Sequence, residues 1–404
     1  MNLEYIISKR IEKLKDKIEW KTLNRNSSLD FQIVLDYPDK PWDWSILSYH
    51  TNISFQFVLD HPDKPWDWYG LSQNRNIMFQ HVLDNLDKPW DWIALSYNKN
   101  ITYQNVVDHP DFRWDWIALS YNENFTLQNV LDHPDKNWSW YGLSLNKNIT
   151  FQNIVDHPEL PWIWSAISKN KNITFKNVLD HPDKGWSWFI LSQNNTITFQ
   201  IVLDHPDKPW DWILLSQSKN ITFQNVLDHP DKPWDWSALS YNKNITLQNV
   251  IDHIDKDWNW YGLSQNKSFQ DILDHPDLPW DWPAISFNKN ITFQNVLDHL
   301  DKRWSWYGLS QNKNITFQNV YDHINKPWNW HYISKNRNIL KVSVTDPDYL
   351  ESVIEILKIN KIKRQWFKSI TNPEYLLCRR RLLKEFHSCM MLISTEDKHV
   401  EEKM

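Results

Sequence analysis

The apolar positions of this chain recur with a fixed period. A Trp-x-Trp pair begins at thirteen places from Trp42 to Trp328, always 24 residues apart, except that 22 residues separate Trp258 from Trp280. A typical unit, residues 210–233, is WDWILLSQSKNITFQNVLDHPDKP. Trp20 marks a degenerate earlier copy. A period of this length indicates a tandem-repeat fold, and positions within a unit are numbered here from 1 to 24, starting at its first Trp.

Positions 13–20 of each unit predict a short helix. In residues 222–229, Thr222 is a favourable N-cap, and Ile221 and Val226 have the spacing of a hydrophobic staple. Phe223, Val226 and Leu227 fall at i, i+3 and i+4 and are expected to share one buried apolar face. We call this element the Phe helix.

The Trp-x-Trp segment predicts a second element, the Trp helix, beginning near Asp231 and Pro233. It is short enough for a 3₁₀ turn to be as plausible as an α-helix. Asn242 and Asn244 follow it, and we expect them to form a C-terminal cap and turn with left-handed backbone. Those roles also explain the repeated Asn-x-Ser/Thr motif, a glycosylation acceptor only in secreted proteins.

Such a helix pair cannot bury its apolar face alone, so the units are expected to stack. The predicted fold is an all-α solenoid, a right-handed superhelix of about thirteen 24-residue units, each with a short α-helix and a short α- or 3₁₀-helix. Residues 1–19 would form an N-terminal capping helix and residues 20–340 the solenoid. Residues 341–404 would form a C-terminal helical cap, with helices over 347–359 and 373–389, and a charged tail.

Composition narrows the functional classes. The chain has 404 residues, 28 of them Trp, and a net charge of −6; the repeats carry −9, since residues 1–19 sum to +1 and residues 341–404 to +2. An acidic repeat body makes nucleic acid an unlikely partner. No run of eighteen apolar residues predicts a transmembrane helix, and no segment resembles a signal peptide. We therefore expect a cytoplasmic protein without a membrane partner, in host cytoplasm or a virion if it is viral.

Two families share features with this sequence. The repeat length and the order of helices within a unit resemble leucine-rich-variant repeats, which pair an α-helix with a 3₁₀-helix. The iron–sulfur segment of that family has no counterpart here, because two Cys cannot supply four ligands. The DHPDKPWDW units (as in 60–68) and the tail NPEYLLCRRRLLKEF (372–386) resemble uncharacterised Trp-rich repeat proteins of mimivirus-like giant DNA viruses. That second resemblance implies no activity.

The repeated Asp-His pairs, such as Asp228 and His229, have the residue types of acid–base or metal sites. A catalytic site is a single constellation of different groups, whereas these pairs recur along the chain. We interpret them as structural, with Asp accepting a buried indole or backbone N–H and His capping the helix. On that interpretation Asp228→Ala destabilises the fold. No catalytic, cofactor or metal residue is predicted.

The two Trp of each unit allow different interpretations. Trp236 and its equivalents at position 3 are expected in the core, since they share a face with Leu239. Trp234 and its equivalents at position 1 are expected between units or partly exposed. An exposed ladder of Trp would instead suggest stacking of bases or sugars.

The variable positions 4 and 8 are often aromatic, but never both in one unit. They either compensate in volume within the stack or form a surface strip for protein recognition, where Tyr is common. The candidate partner-binding face is Tyr49, Tyr69, Tyr97, Tyr121, Tyr141, Tyr241, Tyr261 and Tyr307.

The sequence thus favours a non-enzymatic scaffold that binds a protein partner. The alternatives are single-stranded nucleic-acid binding or glycan binding through repeated aromatic residues. The basic run Arg379–Arg381 could contact phosphate or an acidic partner, although on a predicted helix such a run is usually a solvated face.

Overall fold

The computed structural model describes residues 3–341, together with residues 358 and 361. Within these residues the chain forms helices and turns and no strand. It divides into a smaller unit of residues 1–15 with 340–404, and a larger unit of residues 16–339. The helices predicted over 347–359 and 373–389 lie outside the described residues.

In the described part of the smaller unit, residues Leu3–Leu14 form helix α1. Ile11 and Leu14 on this helix are buried. Arg10 is also buried, at 2% exposure, and its Nη1 donates to the backbone oxygen of Lys341 over 2.9 Å. The guanidinium therefore ties the two chain segments of this unit together.

The larger unit alternates the two predicted kinds of helix. The Phe helices are α3 (Phe31–Asp36), α5 (Phe55–Asp60), α7 (Phe79–Leu83), α9 (Tyr103–Asp108), α11 (Leu127–Leu131), α13 (Phe151–Asp156), α15 (Phe175–Asp180), α17 (Phe199–Asp204), α19 (Phe223–Asp228), α21 (Leu247–Asp252), α23 (Phe269–Asp274), α25 (Phe293–Asp298) and α27 (Phe317–Asp322).

The Trp helices are α2 (Trp20–Leu23), α4 (Trp44–Ser48), α6 (Trp68–Gln73), α8 (Trp92–Tyr97), α10 (Trp116–Ser120), α12 (Trp140–Leu145), α14 (Trp164–Ile167), α16 (Trp188–Leu191), α18 (Trp212–Gln217), α20 (Trp236–Leu239), α22 (Trp260–Asn266), α24 (Trp282–Ile285), α26 (Trp306–Gln311) and α28 (Trp330–Lys335). A last short helix, α29 (Arg337–Leu340), follows them. The regular alternation confirms the all-α solenoid.

Helix α19 shows why the Phe helix forms. The Thr222 hydroxyl accepts the backbone N–H of Asn225, and the Asn225 side-chain oxygen accepts that of Thr222, which makes a capping box. Phe223 and Val226 are buried, whereas Leu227, expected on the same apolar face, is 44% exposed. His229 is the C-cap. The predicted helix and its cap are confirmed.

Helix α20 shows how the Trp helix begins. Its N-cap is Asp235, whose carboxylate accepts the N–H of Ala238 over 2.6 Å. Asp231 and Pro233, which the sequence suggested as its start, precede the helix in the loop. The Trp helix is α-helical rather than 3₁₀.

Position 7 is Ser in all thirteen units because its hydroxyl joins neighbouring units. Ser216 Oγ donates to the Trp212 carbonyl within its own helix. It also accepts the N–H of Asp235 from the next unit, over 3.1 Å. The side chain is completely buried, so the same hydroxyl satisfies two backbone groups that water cannot reach.

The Asn residues after the Trp helix form a second set of links between units. Asn242 Nδ2 donates to the carbonyls of Ser216 and Ser218 in the preceding unit, over 3.0 and 2.9 Å. Asn244 Nδ2 reaches back in the same way to Lys219 and Ile221. No described residue has a positive φ, so the expected left-handed turn is wrong. Asn is needed here for its amide.

The Trp pair also differs from the prediction. Trp234 at position 1 is buried, at 8% exposure, and its indole N–H donates to the His229 carbonyl over 2.9 Å. Trp236 at position 3 is only half-buried and meets Trp258 of the next unit edge-on, with ring centroids 5.1 Å apart. The expected burial of position 3 in the core is therefore wrong. Position 1 does lie between units, as one expectation had it, since Trp234 meets Trp212 of the preceding unit with ring centroids 5.1 Å apart, but it is buried rather than partly exposed because the loop carbonyl accepts its indole N–H.

The larger unit closes on itself. Helix α2 packs against α28, although they lie at opposite ends of the repeats. Asn26 Nδ2 donates to the carbonyls of Ser334 and Asn336, over 2.9 and 3.2 Å, which repeats the bonds that Asn242 makes to its own neighbour. The degenerate copy at Trp20 therefore serves as the fourteenth Trp-helix layer, and it joins the first layer of this unit to the last.

Successive Trp helices are packed more closely than successive Phe helices. The closest packing between neighbouring units joins successive Trp helices, such as α6 with α8 and α18 with α20, whereas successive Phe helices make no comparable contact. In a curved array, elements at the smaller radius approach one another most closely.

The 22-residue unit departs from this regularity at Lys267. Two residues are missing from its turn, and Lys267 is buried at 6% exposure. Its ammonium donates to the Ile245 carbonyl, and Asn266 Oδ1 beside it is buried without a partner. Burial lowers the pKa of Lys267 to about 8.

Candidate partner-binding surface

All eight candidate Tyr side chains lie exposed on the Trp helices or within two residues of their C-terminal ends, between 38% for Tyr49 and 48% for Tyr307. Positions 4 and 8 also expose other apolar side chains. The apolar strip, as we call this surface, is formed by positions 4 and 8 along the array, and its exposed apolar members are the eight Tyr with Ile93, Ile117, Phe189 and Ile213. Exposed apolar side chains gathered on one surface are typical of interaction sites.

Aromatic rings of the strip meet across the boundary between units. Tyr49 at position 8 faces Tyr69 at position 4 of the next unit, with ring centroids 6.1 Å apart and planes at 72°. Phe287 faces Tyr307 in the same way, at 5.9 Å and 65°. Edge-to-face geometry at these distances is favourable, so the pairs hold the strip in a defined arrangement.

Glycine at position 5 makes room for these rings. A Cβ added to Gly70 would lie 3.0 Å from the Tyr49 ring, and one added to Gly142 would lie 2.9 Å from the Tyr121 ring. Every Tyr-Gly at positions 4 and 5 follows a unit with an aromatic residue at position 8. The absence of units with aromatic residues at both positions 4 and 8 therefore reflects the pairing of position 8 with position 4 of the next unit.

The electrostatic character of the strip is neutral to basic. Positions 4 and 8 carry no carboxylate, and their charged residues are Lys21, Arg25, Lys169 and Lys335. Desolvation raises the pKa of Tyr49 to about 12, with Tyr69 adding to the effect. The Tyr49 hydroxyl thus stays protonated at neutral pH and is available to donate a hydrogen bond.

The carboxylates at position 2, next to the strip, accept hydrogen bonds from backbone N–H groups. Asp67, for example, accepts the N–H groups of Tyr69 and Gly70 as a helix cap.

The Asp-His pairs do not meet at a site. Asp228 is exposed and accepts from the Gln224 side chain over 2.6 Å, so the expected bond from an indole to Asp is wrong. The His caps the Phe helix as expected, and in some units its ring also bonds the helix, as His253 Nδ1 does with the Asn249 carbonyl at 3.1 Å. Within the described residues no three His, Cys, Asp or Glu are grouped to hold a metal ion.

No family model, curated protein or solved structure matches this chain.

None of the helices in the described part of the chain is long and apolar enough to cross a bilayer. The basic run Arg379–Arg381 lies outside that part.

The sequence indicates the strip residues, but the pairing of position 8 with position 4 of the next unit is not apparent within a single unit. The signal was present in the order of the units, since Tyr-Gly at positions 4 and 5 follows an aromatic residue at position 8 of the unit before. Comparing positions within one unit hides this relationship.

Proposed function

We propose that the protein is a non-enzymatic scaffold whose apolar strip binds a segment of a partner protein. The observation that carries this proposal is the concentration of exposed Tyr, Ile and Phe at two positions of the Trp helices. The half-buried Trp at position 3 lies beside the acidic loops and is often covered by a Lys, such as Lys256 over Trp236 at 5.7 Å. That arrangement makes base stacking and sugar stacking weaker alternatives.

The partner segment that fits best carries apolar anchors and carboxylates. Apolar or aromatic side chains would contact the Tyr rings, which are common at binding hot spots. Carboxylates would meet the basic residues of the strip, since it has no acidic side chain of its own. A cytoplasmic location and an origin in a mimivirus-like virus remain part of the proposal.

A random peptide-display selection against the full chain tests this function. We expect enriched peptides to combine aromatic or aliphatic residues with Asp or Glu. Replacing Tyr69, Tyr141 and Tyr261 together by Ser should weaken binding of those peptides by about tenfold or more, since one hot spot contributes about 2 kcal/mol. Ser occupies position 4 naturally in three units, so the fold should persist.

The matched control removes exposed apolar surface elsewhere. Leu59, Leu179 and Leu227 on the Phe helices are 37–44% exposed, and their replacement by Ser should leave peptide affinity unchanged. Equal loss in both variants, or retained binding in the Tyr variant, would reject the strip as the site. Tight binding of oligothymidylate or a linear oligosaccharide without peptide binding would favour the alternatives.

A further inference from the structure

The repeats have two edges with different chemistry. Trp helices and Phe helices alternate along the chain, and side chains at positions 9 and 11 bond the same turn of the preceding unit, as Asn242 and Asn244 do. Positions 9–13 therefore lie at one edge, the turn edge. Positions 19–24 and 1–2 lie at the other, the loop edge.

The turn edge is basic. Position 10 projects from the turn and is an exposed Lys or Arg in nine of the thirteen units. Only Glu123 places a carboxylate at this position. The nine residues are Arg75, Lys99, Lys147, Lys171, Lys219, Lys243, Lys289, Lys313 and Arg337.

The loop edge is acidic. Position 19 is an exposed Asp in all thirteen units, and position 22 is Asp or Glu in twelve. Lys at position 23 pairs with the second carboxylate, as Lys64 does with Asp63 at 2.7 Å. The position-19 Asp is commonly held by a neutral Gln, as Gln56 holds Asp60 over 2.7 Å. That bond leaves its charge uncompensated.

We propose that the turn edge of one copy docks on the loop edge of a second copy, so that closed arrays stack head to tail. Charge complementarity supports this partner, since the exposed cations of one edge would face a surplus of carboxylates on the other. Both edges also belong to the same repeats, so cations and carboxylates recur with the same period and come into register together.

The contact is heterologous, because it joins two different surfaces of the same chain. Such a contact leaves a free edge of each kind at the ends of a stack and can therefore continue. Each exposed ion pair contributes little, at most about 1 kcal/mol, so binding depends on many pairs acting together. Salt should weaken it strongly, because exposed charges are screened over about 10 Å at 0.1 M ionic strength.

Sedimentation velocity of the full chain at low and high salt tests the proposal. We expect concentration-dependent assembly in dilute buffer that disappears in high salt. Replacing Lys99, Lys171, Lys219 and Lys289 by Glu makes the turn edge acidic and should weaken self-association at least about tenfold. The backbone carbonyls that accept hydrogen bonds from the Asn side chains of the next unit are unchanged in this variant.

The matched control changes net charge equally at the opposite edge. Replacing Lys64, Lys88, Lys208 and Lys232 by Glu makes the loop edge more acidic and should preserve assembly through the wild-type turn edge. Equal loss in the two variants would show an effect of net charge alone and overturn the proposal. A monomer at both salt concentrations, or assembly that survives the turn-edge changes, would also overturn it.

Carbodiimide cross-linking of mixed light- and heavy-isotope protein gives a second readout. Cross-links between copies should join a position-10 Lys to a carboxylate at position 19 or 22. Cross-links between copies that join other surfaces would contradict head-to-tail docking.

Discussion

The backbone N–H of Glu19 donates to the hydroxyl of Ser334 over 2.9 Å, although 315 positions separate them in the chain. Asp235 makes the same bond to Ser216, only 19 positions earlier. The contact that closes the array is therefore the contact that joins consecutive units. A degenerate copy that retains only one Trp is sufficient, since the closing bonds use its backbone and Asn26.

Because the contact that closes the array is equivalent to the contact between consecutive units, loss of either should lower the free energy of unfolding by a similar amount. Asn26→Ala should lower the free energy of unfolding by about 1–3 kcal/mol, because it leaves buried carbonyls unpaired. Asn242→Ala should cost a similar amount, since Asn242 makes the corresponding bonds. Chemical denaturation of both variants provides the measurement. A negligible effect of Asn26→Ala beside a large effect of Asn242→Ala would mean that the array is open.

Gly142 tests the pairing between units. Gly142→Ala should destabilise the protein by about 1 kcal/mol, because the new Cβ overlaps the Tyr121 ring. Tyr121→Gln should remove most of that cost, and Gln occupies the same position in other units. A double-mutant cycle measures this coupling. Gly185→Ala is the control, since its nearest neighbour would lie 3.7 Å away; additive effects of the Gly142 and Tyr121 changes would reject the pairing.

The buried Lys267 predicts an unusual pH dependence. Its folded-state pKa of about 8 lies below the ordinary value of about 10.4, so between these pH values the unfolded chain binds the extra proton. Stability from this group should therefore rise as pH increases through that window. Lys267→Met should stabilise the protein by about 1–2 kcal/mol at pH 7, where the folded state must bury the ammonium.

The advantage of Lys267→Met should shrink towards pH 10. Denaturation of wild type and variant in parallel isolates this difference, because the titration of other groups, such as Tyr49, cancels between them. A stability difference that is constant from pH 7 to pH 10 would contradict a lowered pKa.

Asp228→Ala should change the free energy of unfolding by less than about 0.5 kcal/mol, since its carboxylate is exposed and accepts only from Gln224. Trp234→Phe should cost about 1–3 kcal/mol, because it removes the buried donor to the His229 carbonyl. Thermal unfolding of the two variants checks the contrast. A large loss in Asp228→Ala would restore the structural role first inferred for this residue.

The sequence predicts those helices and caps whose interactions are made by residues close together in the chain. Thr222 and the apolar stripe beginning at Phe223 specify a capped helix by themselves, and the structure has that helix. The start of the Trp helix was misplaced because Asp231 and Asp235 are both acceptable caps, and only packing selects between them.

Contacts between units were harder to predict, because their partners lie a full repeat away. Asn242 suits a turn by its residue type, whereas its structural role depends on the carbonyls of Ser216 and Ser218. Trp234 is buried because a loop carbonyl accepts its indole N–H, and the sequence alone does not locate that carbonyl. Closure requires the curvature contributed by every interface and has no local signature.

Closure also bears on how such a protein can evolve. In an open solenoid, unequal recombination that adds or deletes one unit merely changes its length. In a closed one, the same event changes the angle between neighbouring units that every remaining interface must adopt. Unless all interfaces change together, Asn26 no longer reaches the Ser334 carbonyl. We therefore expect natural variants to conserve the number of units while their strip residues diverge.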